Sequence, residues 1–148
     1  MKLWKDIRQK QEGETSGSGM LWLGVETGWI SDFYDGSIMY DFECGKTTIC
    51  DIDFFRKQPC INDMGRMWGS SLFQSPEEYQ LGAVIDEVTN VYTIGATAFA
   101  LFGEYNRTRD KWQLSDELFE IAARAVNDDR TKRQQSIRQL IDEWENHP

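Results

Sequence analysis

The longest regular pattern in this 148-residue chain lies between Asp86 and Phe102. Val88, Val91, Tyr92, Gly95, Phe99 and Phe102 recur at spacings of three and four, while Ile94, Ala98 and Leu101 cover a second side. A helix that is apolar almost all round is a buried one, so the pattern predicts a central helix. Gly95 inside it gives up about 1 kcal/mol of helix propensity relative to Ala, which implies that another element approaches closely there. After a charged loop over residues 103–114, Ser115 opens a second helix with Leu118, Ile121, Ala122 and Ala125 inward, ended by Asn127-Asp128-Asp129. Ser136, with Gln139 three residues on, caps a last helix carrying Ile137, Leu140, Ile141 and Trp144 at i, i+3, i+4 and i+7. Ser75-Pro76-Glu77-Glu78 is one more helix start, with a capping Ser, a Pro at the first position and Glu closing a capping box. Gly82 keeps that helix short.

Upstream the pattern changes. Ser37 to Phe42 reads as a strand, Glu43-Cys44-Gly45-Lys46 as a turn and Thr47 to Cys50 as the return strand, which runs into Asp51-Ile52-Asp53. A lone hairpin is marginally stable, so this one must rest on a larger body. Residues 54–74 show no sustained period; a 21-residue irregular stretch of this kind is functional or mobile as a rule. Residues 1–29 read as a partly flexible N-terminal extension with the Gly/Ser-rich run Gln11 to Gly19, and residues 30–148 as one mainly α domain with a small β-hairpin.

Composition narrows the function classes. Hydrophobic residues at 40% and aromatics at 13% describe a folded chain. Sixteen Lys and Arg against 25 Asp and Glu leave a net charge of −9, which repels phosphate backbones and disfavours nucleic acid as a partner. The longest apolar run, Val91 to Phe102, falls short of the ~20 residues that cross a bilayer. The charged N-terminus lacks a signal-peptide core, so the expectation is a cytoplasmic protein with no membrane partner. Cys44, Cys50 and Cys60 are odd in number and match no zinc spacing; they read as free thiols used in packing. His147 is the only His and stands one residue from the end, which argues against His-built metal sites and Ser-His-Asp triads. The six Trp read as packing residues, and Arg130, Lys132, Arg133 and Arg138 as a solvated charge set. Ser70, Ser71 and Ser75 are hydroxyls open to phosphorylation.

The candidate chemistry gathers around the hairpin. Asp32 precedes its first strand, and Asp51 and Asp53 follow its second. A hairpin brings its two open ends together, so these carboxylates are expected to converge. Clustered carboxylates repel one another unless a cation sits among them, as at a Mg²⁺–nucleotide site.

From Ile30 onward the chain resembles the C-terminal lobe of protein-kinase-like phosphotransferases. Ile30 to Met39 is similar to the kinase catalytic loop, with Asp32 at the catalytic-base position. Asp51-Ile52-Asp53 stands where the metal-binding D-F-G falls, and its closing Asp is similar to the aminoglycoside- and choline-phosphotransferase variants. Ser75-Pro76-Glu77 resembles the A-P-E that closes the activation segment, so residues 54–74 occupy the activation-loop slot. Thr89 to Gly95 (T-N-V-Y-T-I-G) resembles the opening of the buried central kinase helix, and Asp129-Arg130-Thr131-Lys132-Arg133 the D-x-T-x-R before the last helix. The sequence departs from the pattern where Ile30-Ser31 replaces His-Arg, Tyr34 replaces Lys, Ser37 replaces the metal-binding Asn and Asn90 replaces Asp. Neither a G-x-G-x-x-G nor a V-A-I-K strand stands before residue 30, so the resemblance is to the C-lobe without the N-lobe.

The resemblance implies Asp32 as the base, Mg²⁺ on Asp51 with Ser37 and Asp53 in support, ATP as cosubstrate, a Ser/Thr hydroxyl as acceptor and a Glu77–Arg133 ion pair. It implies a protein substrate or partner chain, with a homodimer possible through the face that an N-lobe would cover. Two other readings stand beside it: an inactive pseudokinase acting as a binding module, and a small-molecule kinase of the aminoglycoside type.

Overall fold

The computed structural model describes residues 29–30, 33–50, 55–56 and 59–146. Six short strands come first and three α-helices last among them: β1 (Trp29–Ile30), β2 (Ile38–Asp41), β3 (Lys46–Ile49), β4 (Phe55–Arg56), β5 (Cys60–Ile61), β6 (Val84–Ile85), α1 (Glu87–Phe102), α2 (Asp116–Ala125) and α3 (Ile137–Glu145). The strands form three antiparallel pairs, β1–β4, β2–β3 and β5–β6. The protein is thus mainly helical with small antiparallel sheets.

Helix α1 is the axis of the molecule. The Asp86 side chain accepts from the Val88 N–H at 3.0 Å, and the Asp86 N–H donates to the Thr89 hydroxyl at 3.3 Å. These two bonds fix where the helix begins. Every residue from Val88 to Phe99 is buried. Two threonines inside that stretch bond back along the helix, Thr97 Oγ1 donating to the Thr93 carbonyl at 2.9 Å and Thr93 Oγ1 to the Thr89 carbonyl at 3.4 Å. Gly103 ends the helix, its N–H donating to the Phe99 carbonyl at 2.9 Å.

Helices α2 and α3 pack against α1 and against each other. The core they enclose holds Val91, Ile94, Phe99, Leu118, Ile121 and Leu140, with Ala122 and Ala125 at the closest approach. Trp112 closes one end, its ring 5.1 Å from Phe99 and 6.4 Å from Trp144. Ser136 caps α3 by accepting from the Gln139 N–H at 3.0 Å, whereas the Gln139 side chain accepts from Gln135, one residue before the cap.

The hairpin has the expected strands, pairing Ile38 with Ile49 through Asp41 with Lys46. Gly45 sits at φ 67°, a left-handed turn position that glycine enters freely. Four expectations need correction. Residues 54–74 are not wholly irregular: β4 and β5 lie within them, each paired to a strand distant in sequence. The Ser75 start yields a single 3-10 turn, Pro76–Tyr79, because Gly82 follows so soon. Cys44 is exposed and does not pack, since it lies in the hairpin turn with its N–H on Asp41. Trp68 is 64% exposed on a loop, and is not a packing residue. No helix among the described residues is long and apolar enough to cross a membrane.

Candidate functional site

Asp32, Asp51 and Asp53, the expected base and metal ligands, lie outside the described residues. Their immediate neighbours are placed. Ser37 ends a 3-10 turn over Asp35–Ser37 that packs on α1. Its carbonyl accepts the Cys50 N–H at 2.9 Å, so the backbone just before residue 51 is held to the backbone that follows residue 32 by five positions. The Ser37 hydroxyl is 1% exposed and has no hydrogen-bond partner among the described residues. A buried hydroxyl oxygen without a partner is a hard donor of the kind Mg²⁺ takes. Among the described residues no three His, Cys, Asp or Glu side chains gather as a metal site. The Tyr34 ring stands 6.1 Å from Phe73, and Tyr105 donates its hydroxyl to Asp35, tying this corner to the turn after α1.

The second centre is built on Glu77 and Arg133. Arg133 Nη1 donates to Glu77 Oε1 at 2.7 Å and Nη2 to Oε2 at 3.0 Å, a two-pronged pair in which both side chains are buried. The remaining guanidinium protons are engaged too: Nε donates to the Asn127 carbonyl at 2.6 Å, and Nη1 and Nη2 reach the Val88 and Asp128 carbonyls at 3.4 Å. All five donors of the guanidinium are therefore used. Thr89 adds a hydroxyl to Glu77 Oε1 at 3.0 Å. Burial pushes the Glu77 carboxyl up, but the Arg133 and Thr89 hydrogen bonds outweigh it and hold it below its ordinary range. The Tyr92 ring lies beneath the Arg133 guanidinium at 4.9 Å and also faces Arg107 at 5.2 Å.

These contacts correct the reading of the basic run as a solvated set. Arg133 is buried on Glu77, and Arg130 pairs with Asp86 at 2.6 Å while donating to the Val84 carbonyl at 3.0 Å.

Glu78, next to Glu77, forms no ion pair among the described residues. Its Oε2 accepts from the Ser75 N–H at 2.7 Å and the Ser75 hydroxyl at 2.9 Å. Burial raises its pKa to about 7, against the lowering effect of those two bonds.

Sequence reasoning missed Asn62. It is fully buried. Its Nδ2 donates to the carbonyls of Gly65 (2.6 Å), Glu77 (3.3 Å) and Glu78 (3.1 Å), and its Oδ1 accepts from the N–H groups of Met64 (3.0 Å) and Gly65 (3.1 Å). Gln74 acts similarly, donating to the carbonyls of Met67 at 2.8 Å and Trp68 at 3.1 Å. The Asn-Asp pair at 62–63 before Gly65 is a turn signal that marks the spot without revealing the long-range bonds.

The chain matches no known protein-family model and no curated protein.

Proposed function

We propose that the chain is the C-terminal lobe of a protein-kinase-like phosphotransferase that moves the ATP γ-phosphoryl group to a Ser or Thr hydroxyl. The observation that supports this reading best is the buried Glu77–Arg133 pair, which ties the S-P-E segment to the D-x-T-x-R segment 56 residues later. The two segments resemble separate kinase motifs, and the resemblance requires them to meet. The bond from the Cys50 N–H to the Ser37 carbonyl gives further support, since it joins the end of the return strand to the start of the first.

In this reading Asp32 accepts the proton of the acceptor hydroxyl as its oxygen bonds to the γ-phosphorus, and the bond to the bridging oxygen of ADP breaks. Asp51, with Ser37 and Asp53 in support, holds Mg²⁺, which neutralises charge on the phosphates when bound. The buried Ser37 hydroxyl, without a partner among the described residues, fits that supporting role.

A second reading is a binding module of the pseudokinase kind. The observation that favours it is the apolar outer surface of the hairpin, where Phe42 is 89% exposed and Met39 is also exposed. One experiment separates the two. The full chain is incubated with Mg²⁺ and γ-labelled ATP over a library of Ser/Thr peptides. Label transfer that Asp32→Ala and Asp51→Ala each abolish supports the phosphotransferase. A folded chain that neither binds Mg²⁺·ATP calorimetrically nor transfers label overturns it and leaves the binding module.

A further inference from the structure

Glu78 is a carboxyl only 3% exposed, yet the guanidinium that attracts it, that of Arg133, is fully engaged by Glu77 and backbone carbonyls. Among the described residues, the charged groups that act on it are Glu77 on its own turn and Arg133 from the segment after residue 132. Strand β6, Val84–Ile85, packs against the turn and carries no charged side chain. The 62–67 loop touches it through amides: the Met67 N–H and Asn62 Nδ2 donate to the Glu78 carbonyl at 2.9 and 3.1 Å. The charged side chains of that loop, Asp63 and Arg66, are exposed, with Arg66 over the Tyr79 ring.

A buried carboxylate with a like charge beside it and only neutral donors is disfavoured, and a neutral carboxyl still offers its carbonyl oxygen to both Ser75 donors. Glu78 is also the joint between two pieces of chain. Its side chain closes the Ser75 turn, and its carbonyl anchors the Asn62 loop, whose other end is pinned by Gln74. We propose that proton uptake by Glu78 locks, and proton loss releases, the unit formed by residues 62–81. The exposed side chains of Met64, Trp68, Leu72, Tyr79 and Leu81 all ride on this unit, so the proton governs how a sizeable apolar surface is displayed. The elevated pKa near 7 places the change at neutral pH. The inference is independent of phosphotransfer.

Hydrogen exchange read by mass spectrometry on the full chain, corrected for the intrinsic pH dependence of exchange, tests it. Protection in peptides from 62–81 is expected to fall about tenfold or more between pH 6 and pH 8, while peptides from 90–99 stay protected. Glu78→Gln is expected to keep the 62–81 protection over the whole range. A flat profile in the unmodified chain, or an equal fall in Glu78→Gln, overturns the proposal. If that variant does not fold, the ¹³C shift of the Glu78 carboxyl in the unmodified chain decides: a midpoint in the ordinary carboxylate range overturns it, and one near neutrality supports it.

Discussion

A Cβ placed on Gly95 would stand 2.6 Å from the Cβ of Ala125 and 3.1 Å from Val126 Cγ1. The backbones of α1 and α2 meet here, and the glycine is the reason they can. Gly95→Ala would gain about 1 kcal/mol of helix propensity but overpack a rigid contact. We expect a net loss of about 1–2 kcal/mol in urea unfolding; a stabilised variant would contradict the close approach.

Glu77 and Arg133 make the next prediction. Removing either partner strands a buried charge, so Glu77→Gln and Arg133→Met should each lose about 3–5 kcal/mol. The double variant should lose clearly less than the sum, because it leaves no charge uncompensated. Additive losses in a double-mutant cycle would contradict the coupling.

The two adjacent glutamates should titrate in opposite senses. Glu77 has a folded pKa below the ordinary glutamate value of 4.5, so its contribution is present above that pH and is lost as pH falls through the folded value. Glu78, at about 7 when folded against 4.5, binds its proton more tightly in the native state. Its contribution is full below 4.5 and is lost as pH rises to about 7, a change of about 3 kcal/mol. Glu78→Gln should therefore flatten the neutral side of a stability–pH curve and leave the acid side in place, as checked by thermal melts from pH 3 to pH 8.

Asn62→Ala would leave three carbonyls and two N–H groups without the amide that joins them. The expected loss is about 2–4 kcal/mol, with hydrogen-exchange protection falling first in residues 62–67. Unchanged protection there would show that the loop is held by other means.

The helical half of the fold was legible because its signals are local. Ser115 and Ser136 sit at the cap positions that their spacing to the apolar stripe implies, and Gly95 announced a close contact. The β2–β3 hairpin was legible for the same reason, as a turn with Gly between alternating strands. The pairing of β5 with β6 was not, since two-residue strands carry no period and their partners lie more than 20 positions apart. Asn62 escaped notice because an amide that bonds to distant carbonyls looks, in sequence, like any loop Asn. Arg133 was read in two ways. Its place in a basic run suggested solvent, and only its relation to Glu77 pointed inward. Of the expected metal site, Ser37 alone falls among the described residues.

Tolerance to substitution should run against the usual gradient in this protein. Helix α1 holds each side chain by many small contacts, so trimming one leaves the others in place. The stretch from Asn62 to Gln74 draws its shape from two amide groups, and replacing either rearranges a whole surface. Mutational scanning should find that this loop, with little regular backbone of its own, is less forgiving at those two positions than much of the helical bundle beneath it.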